Sequence, residues 1–328
     1  LAIHLVDTIG GAQPGAVVNT STGIINAGGG NGIYAGGIAE NGSITNSGTI
    51  AARDSGVDVF ARSVAEAAPE SATGSIKPSV LVANRGTILN TSEGTITSES
   101  DGVRLFGENM GMVTNAGTIT AGSSGIYVLG MGSGIPTGAP EAGAIFDGPV
   151  VANSGQIRNS GTITAEYDGI YLRGENSGSV TNSGSITSTD GNGISVLGRT
   201  RWLADAPEAG EAPVVAANSG TITNAGSIKA GASGILVGTG VRLLDGAPEA
   251  AELEDSTLAN SGTIANAAGA SIEAGETGIL AAGGNSGTIT NAGSIKAESI
   301  GVLVGSESLL MAGAESDDAE PVPAVTNS

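Results

Sequence analysis

The stretch Asn218–Gly238, N-S-G-T-I-T-N-A-G-S-I-K-A-G-A-S-G-I-L-V-G, returns almost letter for letter as Asn285–Gly305. Looser copies start at Asn84, Asn109, Asn153, Asn176 and Asn260. Another sits at Glu40–Asn46, and a partial one runs through Asn19. A unit this short cannot bury an apolar face alone, so it must stack on its neighbours, and that decides the fold. Each copy holds three runs, S-G-T-I-T, A-G-S-I-K-A and G-I-x-V, each too short for a helix and bounded by Gly or Asn. These are the marks of strands joined by tight turns.

Alternation places Ile222, Ile228, Ile235 and Val237 on one side of these strands. Thr221, Thr223, Ser227, Lys229 and Leu236 fall on the other. One or two apolar residues per strand make a core only when Ile lands on Ile, as in the column Ile119, Ile163, Ile186, Ile228 and Ile295. The expected architecture is an all-β, right-handed parallel β-solenoid of about nine three-strand coils. At ~4.8 Å per coil the rod is ~43 Å long.

Two asparagine columns follow the same period. One is Asn19, Asn46, Asn90, Asn115, Asn159, Asn182, Asn224, Asn266 and Asn291, with Asn327 next in line. The other is Asn84, Asn109, Asn153, Asn176, Asn218, Asn260 and Asn285. Stacked amides can hydrogen-bond from coil to coil, so these columns read as structural ladders. Asn19-Thr20-Ser21 and Asn90-Thr91-Ser92 match the N-glycosylation sequon but lie inside the ladder.

Some coils follow at once, as Asn84 to Asn109 and Asn153 to Asn176. Others follow only after an insertion behind the third strand. The insertions span 62–83, 131–152, 199–217, 239–259 and 306–324. Four carry Ala-Pro-Glu, at Pro69, Pro140, Pro207 and Pro248, and read as hairpin-like flaps on one corner. Such flaps either bind or cover a hydrophobic edge. The outward positions of the third strand run Tyr34, Asp58, Arg104, Tyr127, Tyr171, Ser195, Leu236, Leu280 and Leu303. A face that turns to Leu at its C-terminal end is either covered or used. Val241, Leu243, Leu244, Leu309 and Leu310 in the flaps are the expected cover, which leaves Tyr127, Tyr171 and the three leucines as the candidate contact surface.

The chain of 328 residues reads as one solenoid, since a solenoid grows by adding coils. It opens on Leu1 and closes on Val325-Thr326-Asn327-Ser328, the first letters of another coil, so the expectation is a fragment truncated at both ends. Twelve Lys+Arg against 32 Asp+Glu give a net charge of −20, which argues against nucleic acid and anionic membrane surfaces. No cysteine is present, so no disulfide, thiol nucleophile or thiolate metal site exists. No apolar stretch is long enough to span a membrane as a helix, and no signal peptide is visible.

Catalytic chemistry finds little to stand on. His4, in the end strand Leu1–Val6, is the only histidine, and nothing organises a triad around it. Asp54, Asp101, Asp168 and Asp190 precede the G-I/V step, but the regular aspartate of calcium-binding β-rolls is missing. The expectation is no cofactor and no metal, with weak calcium binding at the acidic turns left open. Asp58 with Arg104, beside Tyr127 and Tyr171, is the one constellation a carbohydrate-active β-helix would use.

The pattern N-S-G-T-I-T-N-A-G-S-I-x-A-x-x-x-G-I-x-V resembles the passenger repeats of bacterial autotransporters and related large surface adhesins, over nearly the whole chain. That resemblance implies export across an outer membrane of a Gram-negative bacterium and display on the cell surface. The family's translocator barrel has no counterpart here, so membrane attachment would run through a missing translocator or anchor. The expected function is a non-enzymatic adhesin or spacer whose partner is a glycan or protein on a host or neighbouring cell. The alternatives are a polysaccharide lyase or glycosidase-like β-helix, and a self-associating subunit of an extracellular filament.

Overall fold

A computed structural model describes residues 3–5, 15–61, 81–131, 150–199, 216–240 and 258–305. The described chain is strand and turn throughout, arranged as a right-handed parallel β-helix. Three long sheets wrap the rod. The first, from Gly15–Asn19 to Thr288–Asn291, and the second, from Ile24–Ala27 to Ser294–Ala297, each have nine strands. The third, from Ile3–Leu5 to Ile300–Gly305, has ten. Ile3, His4 and Leu5 pair with Ile33, Tyr34 and Ala35, so the N-terminal strand belongs to a third-sheet position.

Register is uniform, and it carries the core. In the second sheet Ile25, Ile50, Ile96, Ile119, Ile163, Ile186, Ile228, Ile272 and Ile295 stack in one column. The first sheet matches it with Ile44, Ile88, Val113, Ile157, Val180, Ile222 and Ile264, all buried. The third adds two inward columns, such as Ile126 with Ile170 and Val128 with Leu172. β-Branched residues in these columns fill a narrow interior that no aromatic ring enters among the described residues.

The coil needs glycine where corners of successive turns touch. A Cβ on Gly220 would lie 2.1 Å from the carbonyl oxygen of Gly178 in the coil below. The coil also closes at a fourth corner. Where one coil follows another without an insertion, at Gly37, Gly107, Gly174 and Gly283, φ is positive, between 129° and 140°. Glycine reaches that conformation at little cost.

This fourth corner corrects the insertion boundaries. Short strands Val82–Asn84, Glu108–Asn109, Val151–Asn153 and Glu175–Asn176 form a ladder of their own, and Asn218 bridges it to Asn260. The ends of the stretches read as insertions therefore belong to the coil. Ala83, Ala152, Ala217 and Ala259 are fully buried there, small enough to let the chain turn against the third sheet. In two coils the third strand also runs on past its G-I-x-V core, to Arg199 and to Gly240. The Ala-Pro-Glu segments, the flap residues Val241, Leu243, Leu244, Leu309 and Leu310, and Asn327 lie outside the described residues.

Candidate functional site

Both asparagine columns are continuous hydrogen-bonded ladders. Asn46, Asn90, Asn115, Asn159, Asn182 and Asn224 each pass an amide N–H to the side-chain oxygen of the next, at 2.8 Å, and Asn266 to Asn291 follows at 2.7 Å. The second column runs from Asn84 to Asn285 at 2.7 Å per step. These amides satisfy one another inside the corner. Asn19 and Asn90, the two sequon residues, are buried in the ladder with their amides engaged.

A third corner ladder was not foreseen. Asn31, Asp101, Asp168 and Asn192 each accept the backbone N–H of the following coil, from Ser55, Ser124, Asn192 and Ser233. The sequence signal was the residue before each G-I/V step, which is Asn, Ser, Asp or Thr in eight successive coils. Burial raises the carboxyl pKa of Asp101, and the Ser124 N–H and the Arg104 charge only partly offset it. Burial likewise raises Asp168 against the two hydrogen bonds from Asn192. Asp54 and Asp190 stand further from the glycine and are exposed. Among the described residues no three His, Asp or Glu side chains gather into a metal-sized cluster.

The outward face of the third sheet is the chemically richest surface. Register sets Tyr34, Asp58, Arg104, Tyr127, Tyr171, Ser195, Leu236, Leu280 and Leu303 side by side in one column. Two residues on, Phe60 and Phe106 begin a second column. Sequence reasoning passed over both phenylalanines, although their period-2 spacing from Asp58 and Arg104 puts them on the same face.

Arg104 bridges Asp58 with two hydrogen bonds, 3.1 Å from Nε and 2.8 Å from Nη2, while Asn31 donates to the same carboxylate at 2.8 Å. Asp58 is 3% exposed although it points away from the core. Burial acts to lower the Arg104 pKa, but the hydrogen bond and charge of Asp58 outweigh it and leave it raised. The guanidinium also sits 4.9 Å from the centre of the Phe106 ring. The Asp58 carboxylate thus accepts three hydrogen bonds, two from Arg104 and one from Asn31, while the guanidinium keeps further N–H donors.

The rings on this face pack on one another. Tyr127 and Tyr171 stack on each other, centroids 5.2 Å apart and planes within 20°. Phe106 meets Tyr127 edge-on at 6.5 Å and Phe60 at 5.5 Å. One face of each tyrosine ring is thus covered by the other. Leu236, Leu280 and Leu303 do lie in register, with Leu280 buried and its two neighbours half-buried. Their expected cover falls on residues outside those described. The side chain of His4 also lies outside them.

No protein-family model, no curated protein and no solved structure matches the chain.

Proposed function

We propose that this chain is a non-enzymatic rod displayed on a bacterial cell surface, serving as an adhesin or as a spacer that carries one. The observation that carries the reading is the uninterrupted ladder. Nine coils hold one register from Asn19 to Asn291, across short steps and long insertions alike. A core this repetitive gives length and stiffness, and leaves the outward residues to vary. The resemblance of the repeat to autotransporter passengers supports the surface location. Saturation of Asp58 by Arg104 and Asn31 weighs against the carbohydrate-cleaving alternative.

The test is a comparison of retention and turnover on one glycan array. A rod of this kind should bind a subset of glycans and release no reducing ends. Turnover without stable binding would replace this reading with the enzymatic one. Protease shaving of intact source cells should remove the chain, and protection from shaving would overturn the surface location.

A further inference from the structure

In a repeat protein each coil is a control for the others. At the corner entering the first sheet, three coils read Ser-Gly-Thr, as Ser219-Gly220-Thr221 does, and two more read Ser154-Gly155-Gln156 and Ser177-Gly178-Ser179. Four coils depart, with Pro14-Gly15-Ala16, Asn41-Gly42-Ser43 and the adjacent pair Arg85-Gly86-Thr87 and Met110-Gly111-Met112. The methionines do not fill the core: Met110 is 44% exposed, and Met112 takes an outward position opposite Thr87 and Gln156. Arg85, Met110, Met112, Ser154, Gln156 and Ser179 line one open groove of about 570 Å³, floored by corner glycines that carry no side chain.

Charge selects the ligand. The chain carries −20, yet none of the outward positions of the first sheet among the described residues is Asp or Glu. Arg158 stands on the same sheet, paired in register with Thr114. Glu108, the carboxylate nearest in sequence to the methionines, is buried and accepts the Ser154 hydroxyl. Arg85 is exposed and has no ion-pair partner among the described residues. Two thioethers would suit a soft cation, but a guanidinium in the same groove repels one. It attracts a carboxylate instead, which it can grip with two parallel hydrogen bonds.

We propose that this groove binds a carboxylate-bearing monosaccharide unit, of the uronic acid kind. Arg85 takes the carboxylate. Ser154, Gln156 and Ser179 meet ring hydroxyls, and the methyls of Met110 and Met112 lie against the C–H face of the ring. The source of such a ligand, an acidic glycan on another cell, rests on the adhesin reading. The groove's chemistry does not.

The test uses the full chain and three probes, D-glucuronic acid, D-glucose and acetate, titrated by NMR. A single open site predicts a Kd on the order of millimolar for glucuronate and weaker binding of glucose. Arg85→Gln should cost about tenfold or more. Met110→Ser with Met112→Thr restores the residues other coils carry, so the fold is kept while glucuronate affinity falls. Equal binding of glucose, equal binding of acetate, or an undiminished Arg85→Gln variant would overturn the proposal. If the array retains only neutral glycans and glucuronate fails, the groove is wrong and the adhesin reading survives. If glucuronate binds through Arg85 while the array stays blank, the reverse holds.

Discussion

Asn182 donates its side-chain amide to Asn224 at 2.8 Å across 42 residues of sequence, and both are fully buried. Neither amide has water to fall back on, so the ladder is a chain of obligations. Asn182→Ala removes a donor and an acceptor at once and leaves the oxygen of Asn224 only the longer, 3.3 Å bond from the Gly226 N–H. The expected cost is about 1–3 kcal/mol in urea unfolding. Asn291→Ala, at an exposed rung, should cost far less. Equal losses would mean that the amide chain adds nothing beyond the turn itself.

Inside and outside are sharply distinct along each strand. Ile228 is buried in the second-sheet column, while Thr221 is exposed. Ile228→Asp should lower stability by several kcal/mol, since an unpaired charge has no partner in that column. Thr221→Asp should be mild. Comparable melting losses for the two variants would overturn the assignment of faces.

Gly174 and Gly269 separate two costs of losing a glycine. Both have positive φ, 140° and 82°. A Cβ at Gly174 would meet the Val150 carbonyl oxygen at 2.6 Å, whereas at Gly269 it would meet nothing within 4 Å. Gly269→Ala pays only for backbone strain, about 1–3 kcal/mol at most. Gly174→Ala should exceed it, because the short step between coils cannot widen. If calorimetry ranks them the other way, coil closure does not depend on that contact.

The two buried carboxyls set a pH dependence. Asp101 and Asp168 have folded-state pKa values above their unfolded values, so the folded rod holds more protons than the unfolded chain in that window. Stability should therefore fall as pH rises from the ordinary carboxyl range through the raised values. Asp168→Asn keeps an oxygen for the Asn192 N–H, as Asn31 and Asn192 do at the same corner position. That variant should be more stable than the parent at pH 7 and flatter with pH. A less stable variant at pH 7 would show that the charge is welcome there.

Calcium should leave the rod unchanged. The corner carboxylates of Asp101 and Asp168 are separated by the Ser124 coil and already accept backbone N–H groups. Circular dichroism melts with and without chelator should superimpose. A drop of tens of degrees on chelation would make these turns metal sites.

The repeat made most of this legible. Ile on Ile, Asn on Asn and the order Tyr34 to Leu303 all follow from period and alternation, because a stacked coil offers no other register that buries the isoleucines. What escaped was set by contacts between coils that pattern alone does not weigh. Tyr127 and Tyr171 were placed on the right face, but whether they turn their rings to solvent or to each other depends on the spacing of neighbouring strands. The fourth corner escaped because Ala83 and Ala152 look like loop residues until their burial is seen. The acidic corner ladder escaped because the hydrogen bond from Ser124 to Asp101 joins residues of different coils.

Asn109 reaches Asn153 across 44 residues at 2.7 Å, and Asn153 reaches Asn176 across 23 at the same 2.7 Å. The rung is blind to the length of chain between its ends. Closing a longer detour is cheap, since each doubling of a flexible loop adds only about 0.6 kcal/mol of entropy. Natural selection can thus lengthen, shorten or rewrite the chain at this one corner while the scaffold stays fixed. In an engineer's terms the rod has an insertion port beside every third strand, where a foreign peptide would be presented at coil-by-coil spacing without retuning a single core residue.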